Sequence, residues 1–124
     1  MNIVDSCAWL AFFADEPNAR YFLPPLQDSD SLIVPSITIY EVFRVVMREL
    51  NENEAIQSIA AMQKGLVVDL TSSLAITAAK LGLKHNLPMA DSIILATAHT
   101  YEATIWTQDS DFDTISGVKY FPKI

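Results

Sequence analysis

Short β-branched runs alternate with longer stretches of helical spacing along this whole sequence, and that alternation limits the fold more than any other feature. Residues 2–4, 32–34, 66–69, 104–107 and 118–121 form the strand candidates. Three of them are unbroken apolar runs, as expected for strands covered by helices on both faces. Between them, Ile39, Val42, Phe43, Val46 and Leu50 recur at three- and four-residue steps, with Ser36 as the expected N-cap. Residues 55–64 predict a second helix with Ile56, Ile59 and Met62 as its apolar stripe. Residues 74–83 follow a Thr71-Ser72-Ser73 start, and residues 90–101 follow the Asn86-Leu87-Pro88 break, with Ile94, Leu95, Ala98 and Tyr101 on one face. Strand then helix, repeated, implies right-handed crossovers and a three-layer α/β/α fold around a parallel central sheet of four to five strands. Folds of this kind bind ligands outside the carboxyl ends of the strands, where strand order reverses.

With 124 residues, residues 1–124 are expected to form one domain, long enough to bury a core without disulfides. A hydrophobic share of 51% against 19% charged excludes intrinsic disorder. Fifteen acids against eight bases give a net charge of -7, which excludes a broad basic face that grips nucleic acid. It does not exclude an enzyme that cuts nucleic acid with metal held by carboxylates. Cys7 is the only cysteine, so a reducing compartment is expected. The chain opens without a positively charged leader, and its apolar stretch from Cys7 to Ala14 is far shorter than the roughly 20 residues that span a bilayer. A cytoplasmic protein with no membrane segment is the expectation.

The acids are where chemistry concentrates. Asp5 closes the first strand candidate, where it either caps the next helix or faces the sheet's carboxyl edge. Glu41 stands among apolar residues near the start of the helix after the second strand, paired with Arg44 or Arg48 or in need of another partner such as a metal. Asp91 lies in the first turn of a long apolar helix, a position the helix dipole also favours. Asp109 and Asp111 follow the fourth strand candidate and form either a turn or further ligands. Their spacing resembles a calcium loop, but Thr114 and Tyr120 occupy the places of its glycine and glutamate, so an EF-hand is excluded. Strand-end Asp5 and Asp109 and helix-start Glu41 and Asp91 fall at one edge of the sheet. Carboxylates gathered there repel one another and call for a divalent cation. Oxygen ligands without His or Cys favour Mg²⁺ or Mn²⁺ over zinc.

Four segments carry a resemblance: Ile3-Val4-Asp5-Ser6, Thr38-Ile39-Tyr40-Glu41-Val42, Leu87-Pro88-Met89-Ala90-Asp91-Ser92-Ile93-Ile94-Leu95-Ala96-Thr97-Ala98, and Thr107-Gln108-Asp109-Ser110-Asp111-Phe112. In this order and spacing the sequence resembles a PIN domain, closest to the toxin ribonucleases of VapBC-type toxin–antitoxin pairs. The resemblance implies a Mg²⁺-dependent endoribonuclease, with Mn²⁺ able to substitute. It implies that Asp5, Glu41, Asp91 and Asp109 are the catalytic metal-site acids and Asp111 an accessory or alternate ligand, with Asp109 against Asp111 left open. Ser6 and Thr107 match hydroxyl positions beside that pocket. The resemblance further implies an RNA substrate, a homodimer and a cognate antitoxin protein. Arg44 and Arg48, one and two turns along from Glu41, either meet RNA phosphates or pair with surface acids. Trp9 and Tyr40 read as core or interface aromatics, and Cys7 as a small core residue.

The same residues allow two rival readings. A receiver-type signalling domain would use Asp69 as phosphoacceptor with Thr107 and Lys119, but it needs adjacent acids after the first strand, where Asp5 is followed by Ser6. An inactive PIN-like binding module is the other.

Overall fold

The five strands are parallel and lie in the order β3-β2-β1-β4-β5. They are β1 (Asn2–Val4), β2 (Leu32–Pro35), β3 (Leu66–Val68), β4 (Thr104–Thr107) and β5 (Val118–Tyr120), in a computed structural model that describes all residues from Met1 to Ile124. Six α-helices join them: α1 (Ser6–Phe13), α2 (Leu23–Gln27), α3 (Ser36–Glu49), α4 (Glu52–Met62), α5 (Ser72–His85) and α6 (Met89–Tyr101). The three-layer α/β/α architecture is the one expected, with five strands where four to five were expected. The strand order removes the receiver reading, because receiver-type sheets run 2-1-3-4-5 whereas here β1 is flanked by β2 and β4.

Side-chain alternation along the strands divides the core into two layers. Ile3, Ile33 and Ile105 face α5 and α6, where Leu74, Ala78 and residues Ile93 to Ala96 pack against them. Val4, Val34 and Trp106 face α1, α3 and α4, meeting Ala8, Trp9, Val42, Val46, Ala55 and Met62. Trp9 is core as expected, whereas Tyr40 is exposed on α3.

Local differences from the sequence-based expectations have physical causes. The N-cap of α3 is Pro35, with Ser36 already helical, and Thr38 Oγ1 closes the turn by donating to the Pro35 carbonyl at 2.6 Å. The buried stripe of α4 is Ala55, Ser58 and Met62, leaving Ile56 exposed. Small residues let α4 lie close to α3, and Ser58 satisfies its own hydroxyl on the Glu54 carbonyl at 2.9 Å. Helix α6 is buried on every side from Ser92 to Ala98, and Tyr101 is exposed beyond it. No helix is long and apolar enough to cross a membrane.

Candidate metal centre

The chain crosses the sheet from β3 to β4, so its topological switch lies between β1 and β4, and their carboxyl ends deliver Asp5 and Asp109 to one crevice. Asp5 is 2% exposed and is both things the sequence allowed. It caps α1, its Oδ1 accepting the Ser6 amide at 2.8 Å, and it faces the crevice. Thr107, wholly buried, donates its hydroxyl to Asp5 Oδ2 at 2.7 Å and accepts the Asp109 amide at 2.9 Å. This relay of polarised bonds fixes Asp109 against Asp5. Asp109 in turn accepts the Asp111 amide at 2.9 Å, starting the helical turn Ser110–Phe112. Asp91 enters from the first turn of α6.

One carboxylate oxygen from each of Asp5, Asp91 and Asp109 lies within 4.8 Å of the others. Glu41, half-buried on α3, and Asp111, exposed on its turn, stand outside that group of three. Ser6 touches both acids, its amide donating to Asp5 and its side chain hydrogen-bonding Glu41. Cys7 is nearer the pocket than expected of a core filler, with Sγ 3.4 Å from both Asp5 Oδ2 and Thr107 Oγ1. Arg48 pairs with its neighbour Glu49 at 3.1 Å, both well exposed, and Arg44 is exposed on the same helix.

Burial and mutual repulsion raise three of the carboxyls here, those of Asp5, Glu41 and Asp91. Desolvation raises Asp5 above the usual carboxylate range, opposed by the bonds from Thr107, Ser6 and Cys7. Glu41 is raised first by desolvation and then by the charges of Asp5 and Asp109, with Ser6 opposing. Asp91 is raised to about 8 by desolvation and by Asp5, Asp109 and Asp111, against the pull of its own helix dipole. Burial and the Asp5 charge push the Cys7 thiol up to about 12.

The donor set fits a hard divalent cation. Three carboxylates converge with no thiolate or imidazole among them, the oxygen-only donor set that such a cation takes. Asp5 retains capacity to bind, since a carboxylate offers about four lone-pair sites and hydrogen bonds occupy three of them. Sequence reasoning assigned no role to two polar residues behind this centre, Gln108, which stands between Thr107 and Asp109, and Asn18, both buried and hydrogen-bonded to each other. Composition gave no signal for them, because an amide looks the same in a loop as in a core.

A family model described as PIN domain matches residues 3–118. No curated protein matches the chain in sequence. Among solved structures, a toxin–antitoxin complex from Klebsiella pneumoniae matches with a TM-score of 0.85 at 22% identity over 100% of both chains. DNA-bound VapBC from Salmonella typhimurium matches with 0.74 at 14% identity over 98% of each chain. VapC20 of Mycobacterium tuberculosis, a sarcin–ricin loop cleaving toxin, matches with 0.76 at 16% identity over 94% of this chain and 95% of that one. At such identities these likenesses show a shared fold.

Proposed function

This chain belongs to the PIN domain family, and from that premise we propose that residues 1–124 act as one Mg²⁺-dependent endoribonuclease domain, the toxin of a type II toxin–antitoxin pair. The observation that carries the reading is the convergence of Asp5, Asp91 and Asp109 within 4.8 Å at the sheet's switch point.

A divalent cation held there supplies a water of lowered pKa and offsets charge on the leaving oxygen of a phosphodiester. The chain's own contribution is placement. Asp5 is locked by Ser6 and Thr107, so its free lone pair keeps a fixed direction. Thr107 passes that order to Asp109. Asp91, whose carboxyl is raised by burial and by Asp5, Asp109 and Asp111, would hold the cation with the third carboxylate oxygen. Glu41 stands outside the three aspartates, close enough to feel the charges of Asp5 and Asp109, and would complete the acidic cage around the cation. Asp111 adds negative charge at the rim and is the alternate ligand. Arg44 and Arg48 extend along α3 from Glu41, and the exposed Arg48–Glu49 pair is weak enough to yield to a phosphate.

Two surfaces support protein partners. Leu10, Phe13, Val46 and Leu50 floor a groove between α1, α3 and α4 whose rim carries Glu16, Glu49 and Glu54, which suits an apolar, basic antitoxin segment. Ile76 and Leu83, seven residues apart on α5, are exposed and suit a homodimer contact. The test is a panel of structured and single-stranded RNAs incubated with Mg²⁺ or Mn²⁺ and with chelator. Cleavage that needs the metal is expected; cleavage that persists in excess chelator would sink the metal mechanism, and none at all would leave a binding module.

A further inference from the structure

The one buried side-chain polar atom with no hydrogen-bond partner is Asn18 Oδ1, in the stretch between α1 and α2. Asn18 is 3% exposed. Its amide nitrogen donates to Gln108 Oε1 at 3.1 Å and to the Pro122 carbonyl at 3.0 Å, with the Phe121 carbonyl at 3.5 Å. Carbonyls cannot donate, so the tail demands the NH₂ side of the Asn18 amide and strands its oxygen. The constraint passes one step further. Gln108 must turn Oε1 toward Asn18, which aims Nε2 at the Cys7 carbonyl 3.4 Å away. The network thus fixes both amide orientations.

We propose that Asn18 and Gln108 are positioning residues, a buried amide pair that grips the Thr107–Asp109 segment and sets where the Asp109 carboxylate stands relative to Asp5 and Asp91. Successive residues of extended backbone point to opposite sides, so a grip on Gln108 leaves Thr107 and Asp109 facing the pocket. The segment is held from its other edge by the Phe121 amide, which donates to the Thr107 carbonyl at 2.9 Å. Any movement of Gln108 is therefore passed to the relay from the Asp109 amide through Thr107 to Asp5. A clamp that served only to dock the tail would be made as well by apolar packing, as Tyr21 already does by stacking on Phe121 at 5.0 Å, without stranding a buried acceptor. The inference rests on reading the pocket as a cation site.

The experiment compares Asn18→Ala, Gln108→Leu and the double variant with the unaltered chain. It reads Mn²⁺ affinity, hydrogen-exchange protection of the Asp109 amide and global stability. Each single variant is expected to weaken Mn²⁺ binding about 10- to 100-fold, the usual cost of removing support behind a ligand, and to expose the Asp109 amide. The double should cost little more than either single, because both break one network. Lower stability with unchanged Mn²⁺ affinity and unchanged Asp109 protection would overturn the proposal, as would additive losses. If Asn18→Ala fails to fold, Gln108→Leu carries the test, since it leaves the tail bonds of Asn18 in place. An unaltered chain that binds Mn²⁺ but cuts no RNA would contradict the nuclease reading and not this one. A chain that binds no Mn²⁺ would remove the cation reading, and Asp109 exchange alone would then decide the positioning role.

Discussion

Asp91 sits where opposing fields meet: the start of α6 favours its negative charge, while burial and three neighbouring aspartates disfavour it. The second set wins, raising it from 3.8 to about 8. A carboxyl raised on folding binds its proton more tightly in the folded chain than in the unfolded one. The contribution of Asp91 to the stability of the metal-free protein is therefore fully present below about pH 4 and is lost as pH climbs toward about 8. Asp91→Asn removes this loss and nearly preserves shape. In denaturant unfolding without metal, the variant should match the unaltered chain at pH 4 and exceed it at pH 8 by about 1–3 kcal/mol, a figure reduced for the solvent that reaches this half-buried group. A variant less stable than the unaltered chain at pH 8 would show that Asp91 is held by favourable bonds rather than strained by its neighbours. At this scale the sequence was legible for residue types and not for their support. Asp5, Asp91 and Asp109 could be picked out as strand-end or helix-start acids. Asn18 could not, because its partner Gln108 is 90 positions away and neither amide carries a charge to betray it.

Helix α6 carries Asp91 into the pocket, so the fit of α6 on α5 governs the site from a distance. The two helices cross at Gly82, where an added Cβ would collide with Ser92 Oγ and come within 3.2 Å of Ser92 Cβ. That hydroxyl cannot swing aside freely, since it donates to the Pro88 carbonyl at 2.8 Å. Gly82→Ala should therefore cost about 1–3 kcal/mol in thermal or denaturant unfolding and weaken Mn²⁺ binding by displacing the residue next to Asp91. Unchanged Mn²⁺ affinity in a destabilised variant would show that α6 moves as a body without disturbing its first turn. Elements were legible where one signal dominated. The β-branched runs marked all five strands within a residue or so at their ends, and the long apolar spacing marked α3, α5 and α6. The expected stripe of α4 holds at Met62 and in part at Ile59 but not at Ile56, because Ala55 and Ser58, which periodicity of large apolar side chains does not weigh, take the buried places beside them. The short turns between residues 19 and 31 and the brief α2 were not legible, being shorter than any period that could announce them.

The whole molecule is an acidic chain whose sheet order concentrates negative charge at one crevice and leaves apolar side chains outside it. Leu83 is 88% exposed, and Ile76 and Met89 are exposed with it on the same side of the sheet as α5 and α6. If these form the homodimer contact, Leu83→Glu should shift sedimentation from dimer toward monomer while the metal-free unfolding midpoint at low protein concentration stays unchanged. A chain that sediments as a monomer before substitution would discard the dimer. The central claim is that the Asp5, Asp91 and Asp109 cluster holds the cation with which RNA is cut. Its most direct test is one assay, RNA cleavage under saturating Mg²⁺, run on the unaltered chain, Asp91→Asn and Asp69→Asn. Asp69 is an exposed aspartate beyond the edge strand β3, outside the cluster. Cleavage should fall at least about 100-fold in Asp91→Asn, beyond the cost of losing a mere supporting group, and stay near that of the unaltered chain in Asp69→Asn. Full cleavage by Asp91→Asn, or loss in Asp69→Asn alone, would contradict the account.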